Sequence, residues 1–548
     1  MGIRLIAGRT LLIVAGLAVA WILVATGLVP AFPAYISVND PLPEKFSPVH
    51  FQTSEEPFIG IAISGGGSRA AAFGAAVLQE LDQIGLLEHV DVLSTVSGGG
   101  LPGAYFAIHG KSIRSEQDWD SFHEQMRKPF RTKLFLRALR PDKLLLQGFT
   151  HFDRSDVMAE VLDDELFDSA TFARIGGGEP RRPRFIPNAT WLDQTEPKAF
   201  PFTAEMFGRF SESRLDNYPI ARAVTASAAF PGVFNTVTLT DHRGAVRDPR
   251  LGKRYHHFID GGASDNLGVD TLFAEARRLR GGSAASKFAC LVVLVDAYPR
   301  DLTASPTVLK ADYRGSLLDY VVDSNFMDAF DALLIRRRES ALRELGFRLV
   351  LFGPRSFDHD QDPAWPSTSI DMSKFFHVED GHLTRAYYPY ERVVGATPIG
   401  RGAVAAGFPN ATCLVWHIAM SEVASFAPDM KSKDATPTSG RRGPTTRDPV
   451  AVFRNRLAHL AGQVKTDFDL VGPPGCNAKT TQSFLRSIAR ILVREDAESR
   501  GAVCNWIKTN IAAAGTQCMQ PVGSPIVDEL PIEVPEKAGV PISCRPNR

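Results

Sequence analysis

Neither sign of charge is in excess in this chain of 548 residues: 61 lysines and arginines face 61 aspartates and glutamates. Without a basic surplus nothing draws the molecule as a whole toward a polyanion, so its composition excludes nucleic acid as a partner. Cysteine is sparse, six residues in all, and no spacing among them matches paired zinc ligands, so no metal is expected. Cys290 and Cys413 lie singly in apolar runs and read as free, buried thiols. Cys476, Cys504, Cys518 and Cys544 all fall in the C-terminal tail. That even number suits two disulfides in an exported segment, with the pairing left open.

Charge is missing altogether from residues 11–32, LLIVAGLAVAWILVATGLVPAF. At 1.5 Å per residue, about 20 apolar residues cross the ~30 Å hydrocarbon core of a bilayer. Arg4 and Arg9 precede the run and only Lys45 follows soon after, which favours an N-terminus held inside and a body facing away from the cytoplasm. Residues 1–32 are therefore expected to form a single-pass membrane anchor. The alternative is a signal segment cleaved near Ala25-Thr26-Gly27, leaving a secreted protein.

What is present is ordinary: 44% hydrophobic and 22% charged residues, in a chain too long for one core. Residues 33–56, rich in proline and polar side chains, read as a linker into a catalytic region at 57–300 that continues through 301–426. Residues 427–449, rich in proline, threonine and charge, read as a second linker, and 450–548 as a helical, cysteine-containing region whose proline-rich end is not helical.

The catalytic region alternates apolar strand patterns with helical ones, which argues an α/β sheet that is mainly parallel. FIGIAI at 58–63 leads through SGGGSR into AAAFGAAVLQELDQIGLL, and VDVLSTV leads through Ser97 into GGGLPGAYFAIHG. Further strands are expected at KFACLVVLVDAY, FRLVLFG and ATCLVWHIAM. A serine between a strand end and a helix start sits on a sharp turn with its hydroxyl exposed, the geometry of a nucleophile elbow, and the helix dipole favours its alkoxide. Thr95 stands where the usual elbow has its first glycine. The loop Gly65-Gly66-Gly67-Ser68-Arg69 offers backbone N–H groups at a helix start, suited to an oxyanion. It is not a phosphate loop, because Ser68-Arg69 stands where Gly-Lys-Ser or Gly-Lys-Thr would be required. In HHFIDGG, Asp260 is followed by Gly261 and Gly262, which let other backbone approach the carboxylate.

GGGSR, then STVSGG, then a distant DGG resembles the patatin-like phospholipase family, and PNATWLDQTEPKAFPFT at 187–203 and AVTASAAFPGVF at 223–234 agree with it. The resemblance covers about residues 56–275. It implies a patatin-like three-layer α/β sandwich, no cofactor, and an acyl hydrolase of phospholipase A or lysophospholipase type acting on membrane phospholipid or another acyl-ester lipid. By the same resemblance Ser97 is the nucleophile, Asp260 the base, and Gly65, Gly66 and Gly67 the oxyanion hole, with Arg69 bracing the loop and Gly99, Gly261 and Gly262 supporting. An acyltransferase on the same dyad and a non-catalytic membrane-associated binding protein are the alternatives. A histidine base would have to come from His256, His257, His359, His377, His382 or His417, none with a motif around it. Finally, RKPFRTKLFLRALRPDK at 127–143 mixes cations with apolar residues. It reads by default as a solvated helix with its apolar face packed on the body, and alternatively as a segment lying on an anionic membrane.

Overall fold

A nine-stranded sheet carries the fold, and its inner strands are apolar at nearly every position because helices cover both faces. The computed structural model describes residues 16–21, 38–43, 56–175, 183–193, 198–243, 254–280, 289–298, most of 333–345, 412–423 and 449–511 except 496, with a few short strands and single positions elsewhere. Strands β1 (Phe58–Ile63), β2 (Val92–Val96), β3 (Arg184–Trp191) and β7 (Ala289–Asp296) run parallel with the strand Thr412–Ala419, in the order Thr412–Ala419, β7, β1, β2, β3. Strands β4 (Lys198–Pro201), β5 (Val237–Asp241) and β6 (Arg254–Asp260) extend the β3 side antiparallel. The sheet is thus mixed: its central strands are parallel as expected, and antiparallel strands join them because returns such as β3 to β4 are too short for a crossover helix.

Alternation along β1 builds two cores. Ile59, Ile61 and Ile63 pack with Phe73, Val77 and Leu81 of α2 (Gly67–Gln83), whereas Phe58 and Ala62 pack with Leu272 and Ala276 of α11 (Val269–Arg280). The layer on the α2 side also holds α3 (Gly100–His109) and α9 (Ile220–Ser227). Phe484, Leu485 and Ile488, from the helix Ala478–Arg490, are 0–1% exposed in that same core. The C-terminal region therefore completes the α2 layer instead of standing apart. Gln482 Nε2 donates to the His123 carbonyl at 2.6 Å, and Arg494 pairs with Glu80 of α2.

Several expectations change here. Of the expected membrane span, residues 16–21 form a short helix, α1, and the remainder lies outside the described residues; among the described residues no helix is long and apolar enough to cross a membrane. Residues 38–43, within the expected linker, are tied to the body, since Asn39 Nδ2 donates to Ser213 Oγ at 2.6 Å and Leu42 N–H to the Glu212 carbonyl at 2.7 Å. The expected strand at FRLVLFG and the linker at 427–448 lie outside the described residues. Cys290 and Cys413 are not free: they are register partners on adjoining parallel strands, Cα atoms 4.4 Å apart, and form a disulfide. Pairing across 123 residues has no local signature. Cys504 and Cys518 form a second disulfide, and Cys476 is also disulfide-bonded.

The 127–143 segment is not one packed helix. It breaks at Arg140-Pro141, where proline can open a helix but not continue one, into α5 (Phe130–Ala138) and α6 (Pro141–Phe149). Of the two, α5 buries only Phe130 and Leu134, and α6 buries no residue. The apolar face expected on the body is mostly turned outward.

Candidate active site

Ser97 leaves β2 at the carboxyl end of the parallel strands, beside the loop that leaves β1, which is where open α/β sheets place their ligand sites. Its φ is +50°, a left-handed conformation that costs a non-glycine residue on the order of 1–3 kcal/mol. Two buried groups hold it there. The Ser97 N–H donates to Ser227 Oγ at 2.8 Å, and the Ser227 hydroxyl donates to the Asn188 carbonyl at 2.6 Å. A turn through Ser97–Gly99 then feeds α3, whose N-terminal end faces the hydroxyl.

Backbone meets backbone between this elbow and the glycine loop. A Cβ at Gly98 would fall on the Gly67 carbonyl and 2.6 Å from Gly67 Cα; one at Gly99 would lie 2.6 Å from the Ser64 carbonyl oxygen. Gly65 lies against Ser97, its Cβ position 3.4 Å from the serine Cβ. Gly66 precedes α2 with φ +137° and no side-chain cap, which leaves the first-turn N–H groups open. The three glycines are not equivalent. Gly65 N–H donates to the Asn266 carbonyl at 3.1 Å, and Ser68 N–H to the Asp467 carbonyl at 2.6 Å. Between them, the N–H groups of Gly66 and Gly67 have no acceptor among the described residues.

Asp260 ends β6, where Ala189 of β3 is its register partner. Gly261 permits this crossing, because a Cβ there would run into the Asn188 carbonyl. The Asp260 carboxylate is 3% exposed and accepts the Gly262 N–H at 2.8 Å. Burial pushes its pKa up to about 6, and hydrogen bonding from the Ser97 hydroxyl and the Gly262 N–H limits that rise. The structure brings Ser97, the glycine loop and Asp260 together from three distant stretches.

The histidines stay away. His256 is buried beside the Phe210 carbonyl at 3.0 Å and near Asp241 at 3.6 Å. His257 lines a separate polar cleft of about 550 Å³, shared with Asp153, Asp156, Arg222 and Tyr255, that includes neither Ser97 nor Asp260. His417 bonds Asp296 at 2.9 Å. Nothing described places His359, His377 or His382 at the site. Among the described residues no group of three His, Cys, Asp or Glu is arranged to hold a metal ion.

Four supports hold the site, and of these only Arg69 belongs to a motif read from the sequence. Asn188, 1% exposed, donates to Ser94 Oγ at 2.9 Å and to the Thr95 carbonyl at 3.0 Å, and accepts from Thr271, so it locks β2, β3 and α11 together beneath the serine. Asp265 accepts N–H groups from Leu267, Gly268 and Asp270, shaping the turn that aims the Asn266 carbonyl at Gly65. Burial and the nearby Asp270 charge push the Asp265 carboxyl upward. Arg69 donates to the carbonyls of Ala297 at 2.9 Å and Val464 at 2.8 Å, bracing the loop as expected of it. The segment 464–469 closes over the loop: Ser68 Oγ donates to the Asp469 carbonyl at 2.9 Å, while the Asp469 carboxylate accepts the Arg131 N–H at 2.7 Å and the Thr132 hydroxyl at 2.7 Å. Asp469 thereby caps α5, which has no side-chain cap of its own.

Residues 61–273 match the model of the family described as patatin-like phospholipase. The chain carries a patatin-like phospholipase domain. The match runs from within β1 to within α11 and so takes in Ser97, the glycine loop and Asp260, while Ala297 and the segment 464–469 that brace the loop lie outside it. Solved structures with a similar fold include human GIVD cytosolic phospholipase A2, 15% identical, covering 83% of this chain and 60% of that one at a TM-score of 0.39. They also include the ExoU–SpcU complex of Pseudomonas aeruginosa, 12% identical, covering 90% and 96% at 0.21, and VipD from Legionella pneumophila, 14% identical, covering 90% and 91% at 0.19. The patatin-like chain spans 60% of the length of the human phospholipase chain. Overlaps this loose carry no inference beyond the family match. No curated protein matches the chain.

Proposed function

We propose that this protein is a serine lipid acyl hydrolase, of phospholipase A or lysophospholipase type, working through a Ser97–Asp260 dyad. The observation that carries the reading is the convergence of a strained Ser97, a buried Asp260 with raised pKa, and a glycine loop with two uncommitted N–H groups. Ser97 Oγ attacks the ester carbonyl while Asp260 takes its proton. The oxyanion is met by the N–H groups of Gly66 and Gly67; Gly65, already committed to Asn266, orients the loop and donates nothing to substrate. Collapse expels the alcohol, which leaves with the proton from Asp260, and water hydrolyses the acyl-enzyme by the same exchange in reverse.

An aspartate whose pKa is raised toward neutrality is a better base than an ordinary carboxylate, which suits a site where no histidine among the described residues partners the serine. The disulfides support an oxidising compartment, in keeping with a body held outside the cytoplasm. The test is fatty-acid release from mixed phospholipid vesicles together with labelling by a fluorophosphonate. Wild type should do both; Ser97→Ala should do neither, and Asp260→Asn should lose most turnover. An Asp260→Asn protein that keeps full turnover would remove the dyad.

A further inference from the structure

Twelve large apolar side chains are exposed among the described residues, and ten of them lie in one place. Phe135 and Leu136 of α5, Leu139 just after it, and Leu144, Leu145, Leu146 and Phe149 of α6 are 38–67% exposed. Leu17, Val19 and Trp21 of α1 are 55–66% exposed and adjoin them, since Trp21 Cδ1 lies 3.9 Å from where a Cβ of Gly148 would stand. Monomeric proteins rarely leave so much contiguous apolar surface without a partner.

We infer that the α5–α6 hairpin, with α1 beside it, is a bilayer-docking face that enters the acyl region of the membrane. Two observations select lipid as the occupant. First, α1 belongs to a 22-residue stretch without charge, so the patch continues into a sequence whose preferred solvent is hydrocarbon. Second, the cations that would suit an anionic protein or headgroup surface are already engaged. Lys133 meets Glu165 at 2.6 Å, Arg137 meets Asp164 at 2.5 Å, Lys143 meets Glu160 at 2.5 Å and Arg140 meets Asp142 at 3.2 Å, while Arg131 is held by Asp467 and Asp469. What the hairpin offers outward is apolar area, so its attachment should depend little on anionic lipid or salt. The face is also joined to the site: Asp469 caps α5 with its carboxylate and accepts from Ser68 with its carbonyl.

The test uses the full chain reconstituted with phosphatidylcholine vesicles. Since no described cysteine is free, Leu145→Cys and Leu136→Cys each give a single site for an environment-sensitive fluorophore, with Leu192→Cys, exposed but away from the patch, as the reference. Nitroxide-bearing acyl chains should quench the probe at 145 and at 136, spare the one at 192, and do so equally in phosphatidylcholine and in vesicles with anionic lipid. Quenching no stronger at 145 and 136 than at 192 would overturn the inference, as would concentration-dependent dimers that hide both sites from lipid. A second arm replaces Leu136, Leu139 and Leu145 by Ser. Hydrolysis of vesicle lipid should fall on the order of 10- to 100-fold, with turnover of a soluble short-chain ester kept within about twofold. Equal losses on both substrates would overturn the docking role. This arm rests on the proposed hydrolase chemistry, whereas the quenching arm does not, so a wild type inert on the soluble ester would count against the chemistry alone.

Discussion

Gly98→Ala puts one methyl group where the elbow and the oxyanion loop touch. Its Cβ would occupy the position of the Gly67 carbonyl, with Gly67 Cα 2.6 Å away, and both obstacles are backbone that no rotamer change can clear. The loop cannot retreat freely, because Ser68 and Arg69 are fastened to Asp467, Asp469, Ala297 and Val464. The strain should therefore appear as displacement of Gly67, one of the two N–H groups assigned to the oxyanion. Loss of one such donor costs about 2.7 to 4 kcal/mol in the transition state, or ~10²- to 10³-fold in kcat, and overpacking costs a further ~1–3 kcal/mol of stability. The assay is fatty-acid release, with folding checked by circular dichroism and urea titration. Gly501→Ala is the matched control: its Cβ meets nothing within 4 Å, in a helical stretch, so it should keep full activity and gain up to about 1 kcal/mol. A folded Gly98→Ala enzyme with turnover within threefold of wild type would refute the assignment of the loop. If Gly98→Ala fails to fold, chemical crosslinking is no substitute; the milder probe is Gly66→Ala, whose Cβ has 3.4 Å to its nearest neighbour but whose φ of +137° disfavours any side chain.

The base sets a pH profile. With Asp260 raised to about 6, kcat/KM should fall about tenfold per unit as pH drops below 6 and level off above it; a plateau reaching down to pH 4 would contradict Asp260 as base. Stability moves the other way. A carboxyl with a folded pKa above its unfolded value holds the extra proton only when native between about pH 4 and 6, so its ionisation costs stability as pH rises through that window. Asp260→Asn should accordingly lose activity yet match or exceed wild-type stability at pH 8, read by urea midpoint. Ser227→Ala leaves the Ser97 N–H without its acceptor and should cost ~1–3 kcal/mol of stability, with kcat reduced more than KM rises. Asp469→Ala removes the α5 cap, worth ~1 kcal/mol, and loosens the segment over Ser68, so kcat should fall while fluorophosphonate labelling of Ser97 persists at a slower rate.

The residues that converge at the candidate site could be read from sequence because each carries a local pattern: small residues around Ser97, adjacent glycines before α2, and glycines after Asp260. Their division of labour could not. Three glycines in a row look like three donors, and only the fold shows the Asn266 carbonyl taking one of them. Asn188 and Ser227 lay inside stretches that agreed with the family pattern, but nothing in 187–203 or 223–234 marks which residue supports the elbow. Asp467 and Asp469 gave no signal at all, since their partners lie more than 300 residues away. Cys290 and Cys413 misled for the same reason: an apolar run hides whether its neighbour in the sheet also carries a thiol. The mixture of cations and apolar residues at 127–143 reads as one helix and misses the break at Pro141, and such a pattern cannot tell a face buried on the body from one turned outward.

Two features of the site oppose folding, the left-handed Ser97 and the buried, ionisable Asp260. Neither would persist on a loop with freedom to relax, so their cost has to be met by contacts that the reaction does not use. Those contacts converge on Asn188. Its side chain ties β2 to α11, its carbonyl accepts from Ser227 beneath Ser97, and the same carbonyl bounds the space that only a glycine at 261 can occupy beside Asp260. Ser97 and Asp260, the proposed nucleophile and base, are therefore registered against one buried residue as well as bonded to each other. The glycine loop is registered differently, through Ala297 just after β7 and through the C-terminal segment at Val464, Asp467 and Asp469. Damage at Asn188 should disorder the dyad and leave the loop in place, whereas damage at 464–469 should loosen the loop and leave a dyad that still reacts with a fluorophosphonate. On the proposed mechanism, the C-terminal region, outside the 61–273 family match, would then complete the half of the site that stabilises charge, because its segment 464–469 holds Ser68 and Arg69 in place.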